Sequence, residues 1–403
     1  MRILIYGINN SPELTGIGKY TGEMAHWLSN NGYDVKVVCA QPYYPEWKIH
    51  DGYKKYWYSL SEKNNLKVVR CPLYVPSNIT RFKRIIHLAS FAFSSFFALF
   101  SMVSWKPDVV IHVTPTLFCS LNTLIFAQIS GGKSVLHIQD FEIDAMFGLV
   151  KVKDGRIKKL ILKIEKKIYE KYDHISTISS GMMDRAITKG VKKEKLILFP
   201  NWCELDHLKA ASYNVDLFAK FNINLNKKII LYSGNIGEKQ GLEVVIDAAK
   251  KLQEINSLHF VFVGEGAAKN NLVNLSKKYA LSNVSFFPLQ PYEILPDLLA
   301  SASAHLVIQK SGVADMMLPS KLTNILAVGG NAIITADRNT TLGNLCFDFP
   351  GIASLCKPES SNDLIESIKK TLLMESPNQI AINYANKNLD KDKILEEFVT
   401  NFL

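Results

Sequence analysis

Residues 231–243 read Leu-Tyr-Ser-Gly-Asn-Ile-Gly-Glu-Lys-Gln-Gly-Leu-Glu, an apolar strand that runs through a glycine-rich loop into a helix. The N-terminus has the same order, because Arg2-Ile-Leu-Ile-Tyr-Gly7 is followed by Gly16, Gly18 and a helical stretch. Strand and helix patterns alternate outward from both points and restart after Pro200. Such alternation is typical of doubly wound parallel sheets. The sequence therefore predicts an α/β protein made of two similar halves.

The boundaries of these halves follow from the pattern. We predict a first domain at residues 1–200, a linker at 201–226, a second domain at 227–380 and a helical segment at 381–403. Ligands of open α/β sheets bind beyond the carboxyl ends of the strands. Two such sheets that face each other would make an interdomain cleft.

The composition is that of a folded chain with an uneven charge. Of the 403 residues, 47% are hydrophobic and 21% are charged, which excludes a disordered chain. The six cysteines contain no Cys-x-x-Cys pair, so neither a disulfide framework nor a zinc site is indicated, and a reducing cytosol fits best. No secretory signal is predicted. Residues 1–200 hold 28 basic and 16 acidic residues, so the net charge of +10 comes entirely from the first half.

Two stretches of the first half bear on membranes. Lys151–Lys171 has nine basic residues and an apolar stripe at helical spacing, which indicates either a helix packed on its own domain or one that lies on an anionic membrane. Ile85–Trp105 is apolar and near the length of a spanning helix. Three interpretations stay open for it: a transmembrane span, an ordinary core helix, or a largely buried helix whose aromatic side faces lipid. That side would comprise Phe91, Phe93, Phe96, Phe97 and Phe100.

The glycine loops are candidate phosphate sites. Gly16 and Gly18 allow close backbone approach, and the amides at the helix start that follows could hold a diphosphate, unless both glycines only shape a turn. In the second half, Lys239 can pair with phosphate oxygens or remain a solvated loop lysine. Neither a dinucleotide Gly-x-Gly-x-x-Gly directly after a strand nor a P-loop occurs, so nicotinamide binding is disfavoured.

Other loops add polar and aromatic candidates. Asp315, Ser320 and Lys321 offer mixed donors and acceptors for a hydroxyl-rich ligand, although Ser320 could instead cap the next helix. Lys321 and Asn324 lie one turn apart. The candidates for acceptor contact are Tyr43, Tyr44 and Trp47, which could equally form a rigid loop packed on their own domain.

Several blocks carry a family resemblance that runs almost end to end. They include Pro12–Gly18, Pro42–Pro45, Gly234–Gly241, Val263–Gly266 and Pro319–Gly330. The chain resembles the retaining GT-B glycosyltransferases of family 4, and within them the colanic-acid fucosyltransferases of enterobacteria. The resemblance implies two Rossmann-like domains that face an interdomain cleft. The first would bind the acceptor and face the membrane, the second would bind a nucleotide sugar, and the final helical segment would pack back on the N-terminal domain.

The resemblance also implies residue roles. The donor-binding residues would be Gly16, Gly18, Asn235, Lys239, Gly264, Asp315, Pro319, Ser320, Lys321 and Asn324. Lys239 would neutralise the diphosphate as it leaves, so no metal and no other cofactor is required. Asp140 and Glu13 are candidate cleft carboxylates, and either could instead be a helix cap or an ion-pair partner.

The chain departs from the family pattern at three places. Gln139 replaces the usual histidine before Asp140, Met316 and Asn324 stand where two glutamates are common, and Asn235 lies near the place of a missing arginine. No carboxylate pair suited to a double displacement is identifiable. A front-face substitution, in which the diphosphate helps to deprotonate the acceptor hydroxyl, is therefore favoured.

These observations predict a cytosolic, membrane-surface glycosyltransferase. The favoured reaction moves L-fucose from GDP-fucose to a polyprenyl-diphosphate-linked saccharide in exopolysaccharide assembly, at an anionic leaflet. A UDP-sugar donor such as UDP-N-acetyl-L-fucosamine is the alternative, followed by a sugar-nucleotide epimerase and a binding subunit without turnover. Nucleic-acid binding is disfavoured, because the basic helix has no interleaved aromatics and no RNA or DNA motif occurs.

Overall fold

The computed structural model describes residues 1–13, 16–78, 80–144, 155–209, 211, 214, 216–221, 223–224, 226–311 and 318–402. The chain forms two compact units, Met1–Pro200 with Leu395–Leu403, and Asn201–Ile394. The first unit is therefore discontinuous, because the chain returns to it after the second unit. Residues 201–226, which the sequence predicts as a linker, place Leu205, Leu208 and Leu217 in the core of the second unit.

The described part of the first unit contains an eight-stranded sheet. Its strands are β1 (Arg2–Gly7), β2 (Asp34–Ala40), β3 (Ser59–Lys63), β4 (Leu66–Cys71), β5 (Val109–Val113), β6 (Lys133–Ile138), β7 (His174–Thr177) and β8 (Leu196–Leu198). They lie in the order β3-β4-β2-β1-β5-β6-β7-β8, and all neighbours are parallel except β3 and β4. The chain steps outward from β1 in one direction and from β5 in the other. The topological switch point therefore lies between β1 and β5.

Helices cover both faces of this sheet. They are α1 (Gly16–Asn30), α2 (Arg81–Phe100), α3 (Cys119–Ser130), α4 (Arg156–Lys171) and α5 (Ser180–Thr188). The five residues of β5 are all buried, as expected for a parallel strand covered on both sides. The side chains of α2 and α3 that join the core include Phe91, Leu99 and Phe126, which pack on Leu4 and Tyr6 of β1.

Helix α2 has two different sides. Phe91 is fully buried, and Ser95 lies within hydrogen-bond distance of the Tyr6 hydroxyl at 2.7 Å. Phe93, Phe96 and Phe97 are exposed. By length and composition, Phe82–Phe100 is apolar enough to cross a membrane, but 33% of that stretch is buried in the unit. The helix thus belongs to the packed unit and presents part of its predicted aromatic side outward.

The described part of the second unit contains a six-stranded parallel sheet. Its strands are β9 (Lys228–Ser233), β10 (Leu258–Val263), β11 (Val284–Phe287), β12 (Ala304–Val307), β13 (Ala332–Thr335) and β14 (Ala353–Cys356). They lie in the order β11-β10-β9-β12-β13-β14, which puts the switch point between β9 and β12. Its helices, and the last helix of the chain, are α6 (Leu205–Lys209), α7 (Asp216–Ala219), α8 (Glu243–Lys251), α9 (Lys269–Lys278), α10 (Leu295–Ala300), α11 (Ser320–Ala327), α12 (Thr341–Asp348), α13 (Ser361–Thr371), α14 (Gln379–Asn388) and α15 (Lys391–Phe402).

Alternation along β9 builds two cores in this unit. Ile229 and Leu231 belong to one core cluster, whereas Ile230 and Tyr232 belong to the other. Successive side chains of a strand point to opposite faces, so both faces of the sheet are covered. The two parallel α/β sheets predicted from the sequence are thereby confirmed.

Candidate functional site

Glu13 lies in the loop after β1, at the switch point of the first unit. Its buried carboxylate accepts hydrogen bonds from the Asn9 side-chain amide at 2.9 Å and from the backbone N–H groups of Tyr43 and Tyr44 at 3.1 and 3.0 Å. Burial raises the pKa of Glu13, and these hydrogen bonds oppose that shift. Glu13 thus fastens the loop after β1 to the loop after β2, and its role as a cleft carboxylate stays a prediction.

The two glycines at the start of α1 differ in the space around them. Gly16 has φ +59°, and a Cβ there would meet no described atom within 4 Å. A Cβ at Gly18 would come within 2.6 Å of the Glu13 carboxylate. The backbone at Gly16 is therefore open to a ligand, while Gly18 is required for packing on the Glu13 loop.

The aromatic loop after β2 is anchored on α2. Tyr43 is buried, and its ring centroid lies 5.6 Å from that of Trp47 and 4.6 Å from that of His87. Trp47 is half-buried and Tyr44 is exposed. Of the three predicted acceptor residues, Tyr44 offers the most open ring, and Tyr43 holds the loop in place.

Asp140 follows β6 and is exposed. The side-chain amide of the preceding Gln139 lies 2.9 Å from Nε2 of His137, whose Nδ1 lies 2.9 Å from the Ser176 hydroxyl. Burial lowers the pKa of His137 to about 3, so this ring is neutral at pH 7. The backbone carbonyl of Asp140 accepts a hydrogen bond from the Thr114 hydroxyl at 3.3 Å. Buried polar side chains thus support the turn that presents Asp140.

An ion-pair network holds the next part of the same loop. Asp144 pairs with Arg185 at 2.8 Å and with Lys189 at 2.7 Å, and Lys189 also pairs with Glu165 at 2.8 Å. Burial alone would raise the pKa of Asp144, but the hydrogen bonds from Arg185 and Lys189 lower it. The Tyr169 hydroxyl donates to Glu165 at 2.9 Å. The network ties the loop after β6 to α4 and to the end of α5.

In the second unit, glycines allow the loops after β9 and β10 to pack against each other. Gly264 has φ +152°, and a Cβ there would collide with the carbonyl oxygen of Gly234. The Gly234 N–H donates to the Val263 carbonyl at 2.9 Å, and the Ile236 N–H donates to the Glu265 carbonyl at 2.8 Å. A side chain at Gly264 would therefore separate the two loops.

Two lysines, Lys321 and Lys239, and the backbone of Asn235 belong to the same region as this glycine pair. The Lys321 ammonium donates to the Tyr232 hydroxyl at 3.1 Å, and that hydroxyl donates to the backbone carbonyl of Asn235 at 2.6 Å. Burial lowers the pKa of Lys321 to about 8, and none of the described acidic groups offsets it. Lys239 is exposed in the same loop, and its carbonyl accepts from the Lys310 N–H at 3.3 Å. The β9 loop and the start of α11 thus bring Lys239 and Lys321 to this switch point, and no acidic group among the described residues offsets the burial of Lys321.

Helix α11 begins beside this loop. Pro319 occupies the position before the helix and Ser320 is its first residue, so the alternative in which Ser320 caps the helix is wrong. Ser320 is exposed, and Asn324, one turn on, is half-buried. Asp315 and Met316 lie outside the described residues. The start of α11 therefore offers an exposed hydroxyl and the Lys321 ammonium to an anion.

Comparison with known proteins identifies the family. Residues 15–202 match the model described as "Glycosyl transferase 4-like domain", and residues 215–388 match "Glycosyl transferases group 1". Over 406 aligned residues the chain is 50% identical to "Putative colanic acid biosynthesis glycosyl transferase WcaI" of Escherichia coli (strain K12), covering 100% of this chain and 99% of that protein. The chain belongs to the group 1, 4-like glycosyltransferases. A second relative, "Probable glycosyltransferase WbjE" of Pseudomonas aeruginosa, is 24% identical to this chain over 259 residues, which are 63% of each chain.

Solved glycosyltransferase structures share the fold. Sucrose-phosphate synthase of Thermosynechococcus elongatus superposes with a TM-score of 0.75 at 16% identity, covering 99% of this chain and 98% of that one. Anabaena Alr3699/HepE, solved with UDP and glucose, gives a TM-score of 0.67 at 13% identity, with coverage of 99% and 98%. The predicted GT-B fold class is confirmed.

The structure brings some of the predicted residues together in each unit, while Asp140 follows β6 and Asp315 lies outside the described residues. In the first unit, Glu13 joins the β1 loop to the loop of Tyr43 and Tyr44. In the second unit, a buried tyrosine hydroxyl links Lys321 to Asn235. Sequence reasoning missed this Tyr232 bridge, the Gln139–His137–Ser176 chain and the Lys189 network. The only available signal for them was the placement of polar residues inside apolar strands or at a helix end.

Proposed function

We propose that the protein transfers a sugar from a nucleotide-sugar donor to a polyprenyl-diphosphate-linked saccharide during bacterial exopolysaccharide assembly. The observation that carries this proposal is the 50% identity, over the whole chain, to a protein named for colanic acid biosynthesis. Colanic acid or a similar polysaccharide is the proposed product. GDP-L-fucose is the favoured donor.

The donor is proposed to bind at the switch point of the second unit. Lys239, Lys321 and the start of α11 at Ser320 supply positive charge and N–H groups for a diphosphate. Gly264 keeps the β9 and β10 loops close, so that Asn235 and the loop backbone stand beside the donor. Asn324 is proposed to contact the ribose hydroxyls, and Pro319 to fix the entry into α11. Asp315 is proposed to approach the donor sugar.

The reaction is proposed to retain the configuration at the anomeric carbon. The bond from this carbon to the diphosphate oxygen breaks, and a bond to the acceptor hydroxyl oxygen forms on the same face. The hydroxyl proton moves to an oxygen of the departing diphosphate. Lys239 stabilises the charge that develops on this leaving group, as fixed cations do in dry sites, so the proposed step uses no metal.

The acceptor is proposed to bind at the first unit. Tyr44 offers an exposed ring on which a sugar can stack, Trp47 borders it, and Tyr43 positions the loop. Asp140 is the exposed carboxylate proposed to orient the acceptor hydroxyl. Glu13 is proposed to act through the loop that it holds, Gly16 to leave the backbone of that turn open to an anion, and Gly18 to let the turn pack on Glu13.

The proposed location is the cytoplasmic face of the cytoplasmic membrane. The first half of the chain, which carries all the excess positive charge, suits an anionic leaflet and a pyrophosphate-bearing lipid. The protein would then be peripheral, with the lipid-linked saccharide and the anionic surface as its partners. Nucleic acid is not among the proposed partners.

A ligand panel tests the donor assignment. The full-length protein is compared by thermal shift and ligand-observed NMR with GDP, UDP, GDP-fucose, UDP-N-acetylglucosamine and NAD. We expect selective binding of GDP and GDP-fucose. Transfer is then assayed on polyprenyl-diphosphate saccharides, with the anomeric configuration of the product read by NMR.

The other outcomes select among the alternatives. UDP selectivity would move the donor to a UDP-sugar such as UDP-N-acetyl-L-fucosamine, and the fold's occurrence in a UDP-bound glycosyltransferase keeps this donor in the panel. Turnover of a nucleotide sugar without an acceptor would indicate an epimerase. Binding without any turnover would indicate a binding subunit, and no nucleotide binding would overturn the proposal.

A further inference from the structure

Helices α2, α3 and α4 lie on the same side of the first sheet. They connect β4 to β5, β5 to β6 and β6 to β7, which are steps in one direction, and such crossovers are right-handed almost without exception. Just after α4, the Tyr172 hydroxyl lies 2.7 Å from Nδ1 of His112, whose ring stacks on Tyr6. Tyr6 belongs to the core that α2 and α3 cover. The outward sides of the three helices therefore form one surface, the α2–α3–α4 face.

This face is rich in large apolar side chains that are exposed. They are Phe93, Phe96 and Phe97 on α2, Leu121, Ile125 and Ile129 on α3, and Ile157, Leu160 and Ile164 on α4. Phe93 is 72% exposed, Leu121 66% and Ile157 74%. A folded monomer rarely leaves so many large apolar groups together in water. A partner that removes them from water is therefore expected.

Helix α4 leaves one edge of its apolar stripe in solvent. Its buried residues are Glu165, paired with Lys189, and Tyr169, and Ile161 and Ile168 of the stripe are half-buried. Ile157, Leu160 and Ile164 are exposed. A helix that only covers a core would bury the whole stripe.

Basic side chains border the stripe. On the helical wheel of α4, Arg156, Lys163 and Lys167 adjoin the side occupied by Leu160 and Ile164. An apolar strip edged by cations matches the boundary between acyl chains and anionic headgroups. The face therefore has the chemistry of a surface that binds a bilayer.

We infer that the α2–α3–α4 face docks on an anionic phospholipid bilayer, with the phenylalanines of α2 and the aliphatic residues of α3 inserted below the headgroups. The inference goes beyond the proposed transfer reaction and rests on it only for the choice of a membrane as occupant. A second copy fits less well, because two copies of this face would bring two cationic borders of like charge together.

The test uses the full-length protein and vesicles with and without 30% phosphatidylglycerol. Phe93→Ser with Phe97→Ser is expected to reduce partitioning onto anionic vesicles at least tenfold. Leu121→Ser with Ile129→Ser, a second pair on α3, is expected to do the same. Phe347→Ser with Leu373→Ser is the matched control, because these residues of the second unit are even more exposed, and this pair is expected to bind as the unchanged protein does.

Salt separates the two components of docking. Lys163→Glu with Lys167→Glu is expected to remove the salt-sensitive part of vesicle binding, whereas the serine pairs should remove the part that survives 1 M NaCl. Unchanged vesicle binding by both serine pairs would overturn the inference. A serine pair that converts a dimer to a monomer in sedimentation, without a change in vesicle binding, would overturn it in favour of self-association.

Nucleotide binding separates this inference from the proposed reaction. The serine variants are expected to keep the melting temperature and the nucleotide selectivity of the unchanged protein, since the altered side chains are exposed. Normal vesicle docking without any transfer would leave the docking inference standing and contradict the proposed function. Normal transfer to a detergent-solubilised acceptor without vesicle docking would do the reverse.

Discussion

The two switch points of this glycosyltransferase share a topology and differ in chemistry. In the first unit, the loops after β1 and β6 are held by carboxylates, because Glu13 accepts two backbone N–H groups and Asp144 joins Arg185 and Lys189. In the second unit, the loops after β9 and β10 are held together by glycine backbone, and Lys239 and Lys321 lie beside them, whereas Glu238 and Glu265 of these loops are exposed. Two sheets of similar topology thus carry different loops. Carboxylates hold those of the first unit, and lysines lie beside those of the second.

This difference matches what each site is proposed to bind. A diphosphate needs cations that have not already been neutralised, and Lys321 has no described acidic group that offsets its burial. An acceptor hydroxyl is oriented by a carboxylate or by neutral polar groups, and carboxylates are the side chains that hold the loops of the first unit. Four substitutions test this difference between the two units.

The largest effect is expected from Lys189→Met in the first unit. Glu165 would remain buried without its cation, which costs about 3–5 kcal/mol of unfolding free energy. Thermal or urea unfolding of the full chain measures the loss. Lys369→Met removes an exposed pair with Glu366 and should cost less than about 1 kcal/mol. Equal losses in the two variants would contradict a buried, first-unit brace.

Gly264→Ala probes the glycine contact of the second unit. The new Cβ meets the Gly234 carbonyl at a strained φ, so we expect a loss of more than about 2 kcal/mol together with weak nucleotide binding. Gly234→Ala is the matched control, since its φ is also positive but a Cβ there meets no described atom within 4 Å. That variant should lose roughly 1 kcal/mol. A milder effect for Gly264→Ala than for Gly234→Ala would argue against loop packing as its role.

Lys239→Ala tests the exposed cation of the same loop. Loss of one charge-assisted contact to a diphosphate is expected to cost roughly 1.5 kcal/mol, about a tenfold weaker nucleotide affinity, with a parallel fall in turnover. Calorimetric titration and initial rates measure the two effects. Lys369→Ala, an exposed lysine of the second unit, should change neither. Unchanged kinetics in Lys239→Ala would refute its role.

The smallest effect is a pH dependence assigned to Lys321. The pKa of this lysine is about 8, so its charge is lost above that pH and nucleotide affinity should fall by less than about tenfold in total between pH 8 and 9.5. Stability should move in the opposite direction, because the unfolded chain binds more protons than the folded one between pH 8 and 10.5. Titration of the nucleotide selected by the panel measures the slope, and Lys321→Met should abolish it. A variant with the same slope would assign the titration to another group.

Much of the fold was predictable, because alternating apolar strands and amphipathic helices carry a strong signal. This signal is weak at β3, an antiparallel edge strand whose polar residues are mostly exposed, so no buried run marks it. It is also weak at β14 and at the short helices α12 and α14. In α14 only two residues are buried, which is too few for a helical period to stand out.

The candidate site was predictable in its glycines and lysines and less so in its carboxylates. A glycine loop after a strand constrains its backbone locally, so Gly264 and Lys239 can be placed from the sequence. The burial of Glu13 depends on amides thirty residues away, at Tyr43 and Tyr44, which no local pattern reveals. The burial of Glu165 on α4 similarly depends on Lys189, which lies beyond the helix.

The discontinuity of the first unit has a consequence for synthesis on the ribosome. Phe199, at the end of the first pass through this unit, stacks on Phe398 of α15 with ring centroids 3.9 Å apart. At typical elongation rates, the residues that separate the two rings take on the order of ten to forty seconds to emerge. For that interval the nascent unit holds an unfilled place in its core as well as the exposed phenylalanines of α2. Helix α15 therefore completes a core that the residues up to Pro200 begin, and the first unit reaches its final packing only after the second unit has been synthesised.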